Sequence, residues 1–261
     1  LVKGLDGNDQ LIVSDAQTFP ITLDGGAGDD LLVGSTGNET IDGSTGDDTI
    51  IGNGGDDEIF GGEEEDFVQV DGTDGNDTIT LSQALNGDLL ATVNGVTTTI
   101  GNASDYDQIL VLGMAGDDTL IIDVSLQDFV TVPILFDGGE DGDELQVIGS
   151  PATSVHEVIY QPGPAGGVGE LTYKDAANAV LMSVQFVSLE PVIDTVPAAV
   201  LTVLGTSDSN DIHFTPGSSN DNGLVAIDAL ETIEFYSKGS LVLLGREGDD
   251  TLYMNLDEVN S

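Results

Sequence analysis

A nine-residue period between residues 25 and 69 constrains this chain more than any other feature. Its five units begin at Gly25, Gly34, Gly43, Gly52 and Gly61, so position one is always glycine. Position six carries Asp30, Glu39, Asp48, Asp57 and Asp66, and position eight carries Leu32, Ile41, Ile50, Ile59 and Val68. Glycines permit the positive φ of a tight turn and leave room for backbone carbonyls to converge. One aliphatic residue per unit suits a short strand with a single inward side chain. No stretch of the chain sustains a 3.6-residue apolar period, so helices are not expected.

The third unit, Gly43-Ser-Thr-Gly-Asp-Asp-Thr-Ile-Ile51, shows how closely the run resembles the RTX (hemolysin-type) nonapeptide repeat, GGxGxDxUx with U a large aliphatic residue. The resemblance implies a calcium-binding stretch of a larger repetitive bacterial surface or secreted protein. It also implies an all-β fold, a parallel β-roll or β-helix solenoid with calcium-binding glycine-rich turns and room for a small irregular β lobe. In such a roll two units make one rung. Asp30 would stack on Asp48 and Asp48 on Asp66, which makes Asp48 the carboxylate shared by two ions. On the opposite edge Glu39 would precede Asp57, and Asp57 would precede Asp77 of the next match, Gly72-Thr-Asp-Gly-Asn-Asp-Thr-Ile-Thr80.

Calcium takes six to eight hard oxygen ligands in flexible geometry, which paired carboxylates and turn carbonyls can supply. Without a cation, carboxylates stacked at a strand spacing of about 4.8 Å repel one another. Folding and Ca²⁺ loading are therefore expected to be coupled. Two units depart from the family pattern, with Glu39 in place of Asp and Glu64 and Glu65 in place of the usual Gly-x.

The motif recurs singly around Asp9, Asp118, Asp143 and Asp250, and in a fainter form at Gly205-Thr-Ser-Asp-Ser-Asn-Asp211. A lone match also suits an Asp-Gly turn that merely ends a strand. The candidate metal ligands are thus Asp9, Asp30, Glu39, Asp48, Asp57, Asp66, Asp77, Asp118, Asp143 and Asp250.

A longer repeat relates Val111 to Leu120 with Leu243 to Leu252, and Pro133 to Gly139 with Pro20 to Gly26. It divides the chain into residues 1–71 (the tail of a preceding module and the tandem run), 72–149 (a solenoid module with isolated turns), 150–204 (an irregular Pro- and Gly-containing β segment) and 205–261 (the start of a second module copy). The match stops after Asn255, and the chain reads as part of a longer array. Short β-branched segments such as Ile109 to Leu112 and Thr119 to Ile122 read as strands. Asn94-Gly95 marks a hairpin or tight solenoid turn. Ala226 to Tyr236 suits a short helix as readily as a strand, and the strand is preferred.

The formal charge of −44, from 48 acidic residues against four Lys plus Arg, opposes binding to nucleic acid or anionic lipid. Hydrophobic residues at 39% still supply a core, and nowhere do about 18 apolar residues run together. Cysteine is absent, which excludes disulfides and thiolate metal sites. The two histidines, His156 and His213, lack a persuasive catalytic partner, and no GxSxG, HExxH or Walker motif is present. Adjacent acids such as Asp29-Asp30 suit metal turns better than glycosidase chemistry, because neighbouring strand residues point oppositely. A polysaccharide lyase would need cationic residues, and Lys3, Lys174, Lys238 and Arg246 are scattered.

An ice-binding face is disfavoured because Thr40, Thr49, Thr78, Thr119 and Thr251 form no repeated Thr-x-Thr rank. The expectation is a non-enzymatic, secreted, calcium-binding structural or adhesive module of a larger extracellular or cell-surface protein. Its alternatives are a self-assembling filament or surface-layer subunit and, behind these, a calcium-dependent lyase or the export tail of a secreted hydrolase. Its candidate partners are Ca²⁺, further copies of itself and cell-surface glycans or proteins, with neither nucleic acid nor membrane insertion.

Overall fold

The computed structural model describes residues 1–14, 19–53, 55, 57–125, 129–219 and 221–254. Gly54 and Asp56 of the fourth unit, and Asn255 at the end of the long repeat, lie outside the described residues.

Among the described residues the strands form three sheets, of four, ten and eleven strands. In the tandem run the chain alternates between two walls. Ile21–Ala27, Glu39–Thr45 and Glu58–Glu63 build one wall, and Leu31–Val33, Thr49–Ile51 and Phe67–Asp71 build the other. All these neighbours pair in parallel, with Thr22 opposite Thr40 and Leu31 opposite Thr49. The register therefore advances eighteen residues, two units, per rung. The chain is a parallel β-roll.

The period makes this register self-consistent. Each rung places its position-eight aliphatic directly above the last, and Leu32, Ile41, Ile50, Ile59 and Val68 are at most 2% exposed. A slip of one residue would turn that whole row to solvent. Leu23 continues the row within the same wall as Ile41 and Ile59, and Ile109 and Ile134 continue it beyond Val68.

Beyond Asp71 one wall continues while the other is replaced. Gln108–Leu112 and Ile134–Asp137 extend the eleven-stranded sheet in parallel. Opposite them Thr78–Gln83, Thr119–Asp123, Glu144–Ile148, Val192–Asp194 and Ile233–Phe235 stack in parallel in the ten-stranded sheet. Asn94-Gly95 closes an antiparallel hairpin, Asp88–Val93 with Val96–Asn102, and this hairpin lies between Thr78–Gln83 and the four-stranded wall.

That insertion corrects the expected stacking of Asp57 on Asp77. Their turns leave neighbouring strands, Thr49–Ile51 and Phe67–Asp71, but the strands that follow them are separated by the hairpin. A cavity of about 340 Å³ opens at the step, lined by Gly52, Asn53, Gly72, Thr73, Val93 and Val96 among others.

Residues 150–204 are more regular than their proline and glycine content suggests. Val155–Pro162, Gly169–Lys174 and Val180–Val187 form an antiparallel meander inside the eleven-stranded sheet. Its two outer strands pair in parallel with Ala198–Leu204 and Ile134–Asp137, so the meander continues the wall. Tyr160, Tyr173 and Phe186 are fully buried beneath it. Residues 226–236, expected as one strand, split into Gly223–Ile227, a turn and Ile233–Phe235.

Candidate metal centres

Each turn begins with a glycine at the end of one strand and delivers its position-six residue to the start of the next. In the first ladder the Asp9 N–H donates to Asp30 Oδ1 at 2.7 Å, Asp30 N–H to Asp48 Oδ1 at 2.8 Å, and Asp48 N–H to Asp66 Oδ1 at 3.2 Å. The Asp66 N–H continues to Asp107 Oδ2 at 3.1 Å. One oxygen of each carboxylate from Asp30 onward is thus held by the preceding rung.

A second ladder joins turns that looked isolated in the sequence. The Asp77 N–H donates to Asp118 Oδ1 at 2.7 Å, and the Asp118 N–H to Asp143 Oδ1 at 2.9 Å. Shorter pairs link Glu39 N–H to Asp57 Oδ1 at 2.8 Å and Asn210 N–H to Asp250 Oδ1 at 3.0 Å. All ten candidate residues therefore stand at rung edges, but not in one stack. Asp9 extends the first ladder before Asp30, and Asp107 extends it after Asp66.

The other oxygen is the chemically telling one. The Oδ2 atoms of Asp9, Asp30, Asp48, Asp118 and Asp143 are buried without a hydrogen-bond partner. They face the position-one glycines. A Cβ at Gly25 would lie under 3.0 Å from both Asp30 Oδ2 and the Gly43 carbonyl, and Gly43 is placed likewise between Asp48 Oδ2 and the Gly61 carbonyl. Gly113 repeats the arrangement with Asp118 and the Gly138 carbonyl. A buried anionic oxygen near a carbonyl oxygen is destabilising unless a cation or a proton neutralises it.

The site fits a hard cation. Its donors are all oxygen, the glycines keep the space open, and the turn backbone brings carbonyls of successive rungs together. Among the described residues no group of three or more His, Asp or Glu side chains converges. Most ligands must accordingly be backbone carbonyls, which suits an ion that accepts six to eight oxygens.

Burial pushes the carboxyls of Asp48, Asp66 and Asp118 up to about 6, with neighbouring carboxylates adding to the shift, and raises Asp143 in the same direction. Raised folded-state values mean that these groups favour the metal-free fold at low pH and lose that contribution as pH rises through about 6. Protons and cation compete for the same oxygens. Calcium affinity, followed by titration at fixed pH, is expected to fall as pH is lowered from 7.5 to 5; a flat profile would contradict carboxylate ligation.

Outside the buried ladder runs a second one that sequence reading missed. The position-five acids accept from the following rung, with Asp47 N–H to Asp29 Oδ1 at 3.3 Å and Glu65 N–H to Asp47 Oδ1 at 3.2 Å. Position five looks merely variable until the rungs are stacked. Asp107 was also missed, and no motif marks it. It is reached through the 3₁₀ turn Ala103–Asp105, whose Asp105 carbonyl stands beside Gly61 where other rungs present a glycine carbonyl. Glu64 keeps the fifth turn intact by adopting φ 85° in spite of its Cβ.

Stacked glycine turns with inward carboxylates on a parallel roll define a cation-binding β-solenoid. Residues 22–38 and 33–68 match the model of the RTX calcium-binding nonapeptide repeat, in four copies, so the chain carries RTX repeats, and such repeats bind calcium. Among solved structures, the extracellular lipase LipA from Serratia marcescens is similar at 16% identity, over 85% of this chain and 38% of the lipase, with a TM-score of 0.28. The chain spans 38% of that protein's length. No curated protein matches the chain.

Proposed function

We propose that this chain is a secreted structural and adhesive module of a larger extracellular or cell-surface protein, with no catalytic role of its own. The observation that carries the reading is the set of buried Oδ2 atoms of Asp9, Asp30, Asp48, Asp118 and Asp143, which have no hydrogen-bond partner within the protein. Such an arrangement is stable where Ca²⁺ is abundant and self-repelling where it is scarce, so it makes folding conditional on the outside of the cell. No helix among the described residues is long and apolar enough to cross a membrane. Support for a non-catalytic role comes from His213, which stacks on the Tyr253 ring with centroids 4.4 Å apart.

The calcium dependence of folding tests the reading. The midpoint of the β-sheet circular dichroism signal is expected at about 0.1–1 mM free Ca²⁺, the range of extracellular modules. A protein fully folded at submicromolar Ca²⁺ would belong to a different compartment, and the proposal would fail.

A further inference from the structure

The eleven nonapeptide-type turns, those of the ten candidate ligands and of Asn210, begin with glycine and carry Asp, Glu or Asn at position six, and they fall into two conformational kinds. In eight of them both position two and position four are left-handed. At position two these are Leu5, Gly26, Ser44, Asn53, Gly62, Met114, Gly139 and Arg246, and at position four they include Glu64 and Asp141. Five of the eight position-two residues carry a Cβ, so at that position the conformation is imposed by the stack and not by glycine content. Every carboxylate oxygen described above as buried and unpartnered belongs to this kind.

The three exceptions have Ser35, Thr73 and Thr206 at position two, none of them left-handed. In each, the residue turns its own hydrogen bonds onto the position-six side chain. Ser35 donates from N–H to Glu39 Oε2 at 2.8 Å and from its hydroxyl to Glu39 Oε1 at 2.9 Å. Thr73 donates from N–H to Asp77 Oδ2 at 2.5 Å, with its hydroxyl 3.0 Å from the same oxygen. Thr206 donates to Asn210 Oδ1 in the same way, at 2.8 Å from N–H and 3.3 Å from the hydroxyl. The hydroxyl in turn accepts from the position-four N–H of Gly37, Gly75 or Asp208.

We propose that position two decides which turns take calcium: turns capped by Ser35, Thr73 and Thr206 are metal-free starts of their ladders, and left-handed turns hold the ions. The proposal rests on the calcium reading above and specifies which carboxylates serve it. Each capped residue passes its own N–H forward, to Asp57, Asp118 or Asp250, and among the described residues none accepts from a nonapeptide rung before it. At Asp77 that place is taken by the hairpin. The Asn94 amide donates to Asp77 Oδ1, and Asn94 Oδ1 accepts from the Thr78 N–H.

The second module copy supplies a natural control. There Asn210 replaces Asp77, and Asp228 stands where Asn94 stood, its carboxylate accepting from Asn210 Nδ2 at 2.8 Å and from the Asp211 N–H at 2.7 Å. Acid and amide have changed places. A hydrogen-bonded pair survives that exchange, whereas a position-six carboxylate needed by calcium would not.

The test compares Asp77→Asn and Asp118→Asn in the full chain by calorimetric Ca²⁺ titration, with Glu39→Gln as an independent capped turn should Asp77→Asn fold poorly. Asp77→Asn and Glu39→Gln are expected to keep wild-type stoichiometry and affinity within about twofold, while Asp118→Asn loses about tenfold or more, as the removal of a charged ligand should. Equal losses in Asp77→Asn and Asp118→Asn would overturn the proposal and leave the calcium reading standing. No loss in Asp118→Asn would overturn the calcium reading itself.

Discussion

Chelation of Ca²⁺ is expected to open residues 21–71 to rapid hydrogen exchange while residues 155–204 stay protected. The two regions differ in what fills their interiors. Each nine-residue unit of the tandem run buries one large aliphatic residue and one acid, as with Ile50 and Asp48 at 0% exposure. Without a cation such a rung retains its ladder of backbone hydrogen bonds but sets buried carboxylates against one another. Residues 155–204 carry no calcium-type turn and bury Tyr160, Tyr173 and Phe186, with the Tyr160 and Phe186 rings 6.3 Å apart.

The effect should be large. A site filled at a hundred times its Kd contributes about 2.7 kcal/mol, so a few coupled sites rival the roughly 5–15 kcal/mol that holds a whole domain together. Hydrogen exchange with mass spectrometry, in Ca²⁺ and then in chelator, resolves the two regions. Uniform protection in both states would mean that the buried acids need no metal. Uniform loss would mean that the meander depends on the roll. Magnesium or high NaCl should not restore protection in chelator, because screening acts weakly on buried charges and Mg²⁺ demands a stricter octahedral shell.

What the sequence made legible was local. The nine-residue spacing of glycines, position-six acids and position-eight aliphatics defines rung height, wall alternation and inward face together, because each unit repeats the same short instruction. The hairpin was legible too, at Asn94-Gly95, but its place in the stack was not. A turn signal reports that two strands pair; it does not say that the pair will stand between Asp57 and Asp77. The Asp77, Asp118 and Asp143 ladder escaped for a related reason, since its members are 41 and 25 residues apart and only folding restores the rung spacing. The caps were visible as Ser35, Thr73 and Thr206, yet Ser44 also occupies position two and takes the left-handed form. A serine at that position does not by itself decide between the two forms.

Lys238 was the largest omission, since in the sequence it is one of four scattered cations. In the fold its side chain is 1% exposed and its amine lies 2.9 Å from Oδ2 of Asp194, whose side chain is fully buried. The amine also donates to the Val196 and Tyr236 carbonyls at 2.5 and 2.9 Å, and Asp194 Oδ1 accepts from the Val196 N–H at 3.0 Å. Burial lowers the lysine and raises the aspartic acid relative to their usual ranges, each opposed by the attraction of its partner. Such a pair adds little net stability over apolar residues of the same shape, but breaking it leaves a charge stranded.

Asp194→Asn is therefore expected to destabilise the protein by about 3–5 kcal/mol, as is removal of the lysine charge alone. Replacing both, Asp194→Leu with Lys238→Met, should recover most of the loss. Urea unfolding in saturating Ca²⁺ separates this effect from the metal. A loss below about 1 kcal/mol in Asp194→Asn would mean that the lysine sheds its proton and sits neutral, using its two carbonyl contacts alone. Full recovery in the double variant would show that the pair specifies the fold more than it stabilises it. The geometry favours that role, because the Tyr236 N–H donates to the Asp194 carbonyl at 2.9 Å and the ion pair fixes the same two segments against each other. It would hold the register of Val192–Asp194 on Ile233–Phe235 in a stretch where no nonapeptide turn does so.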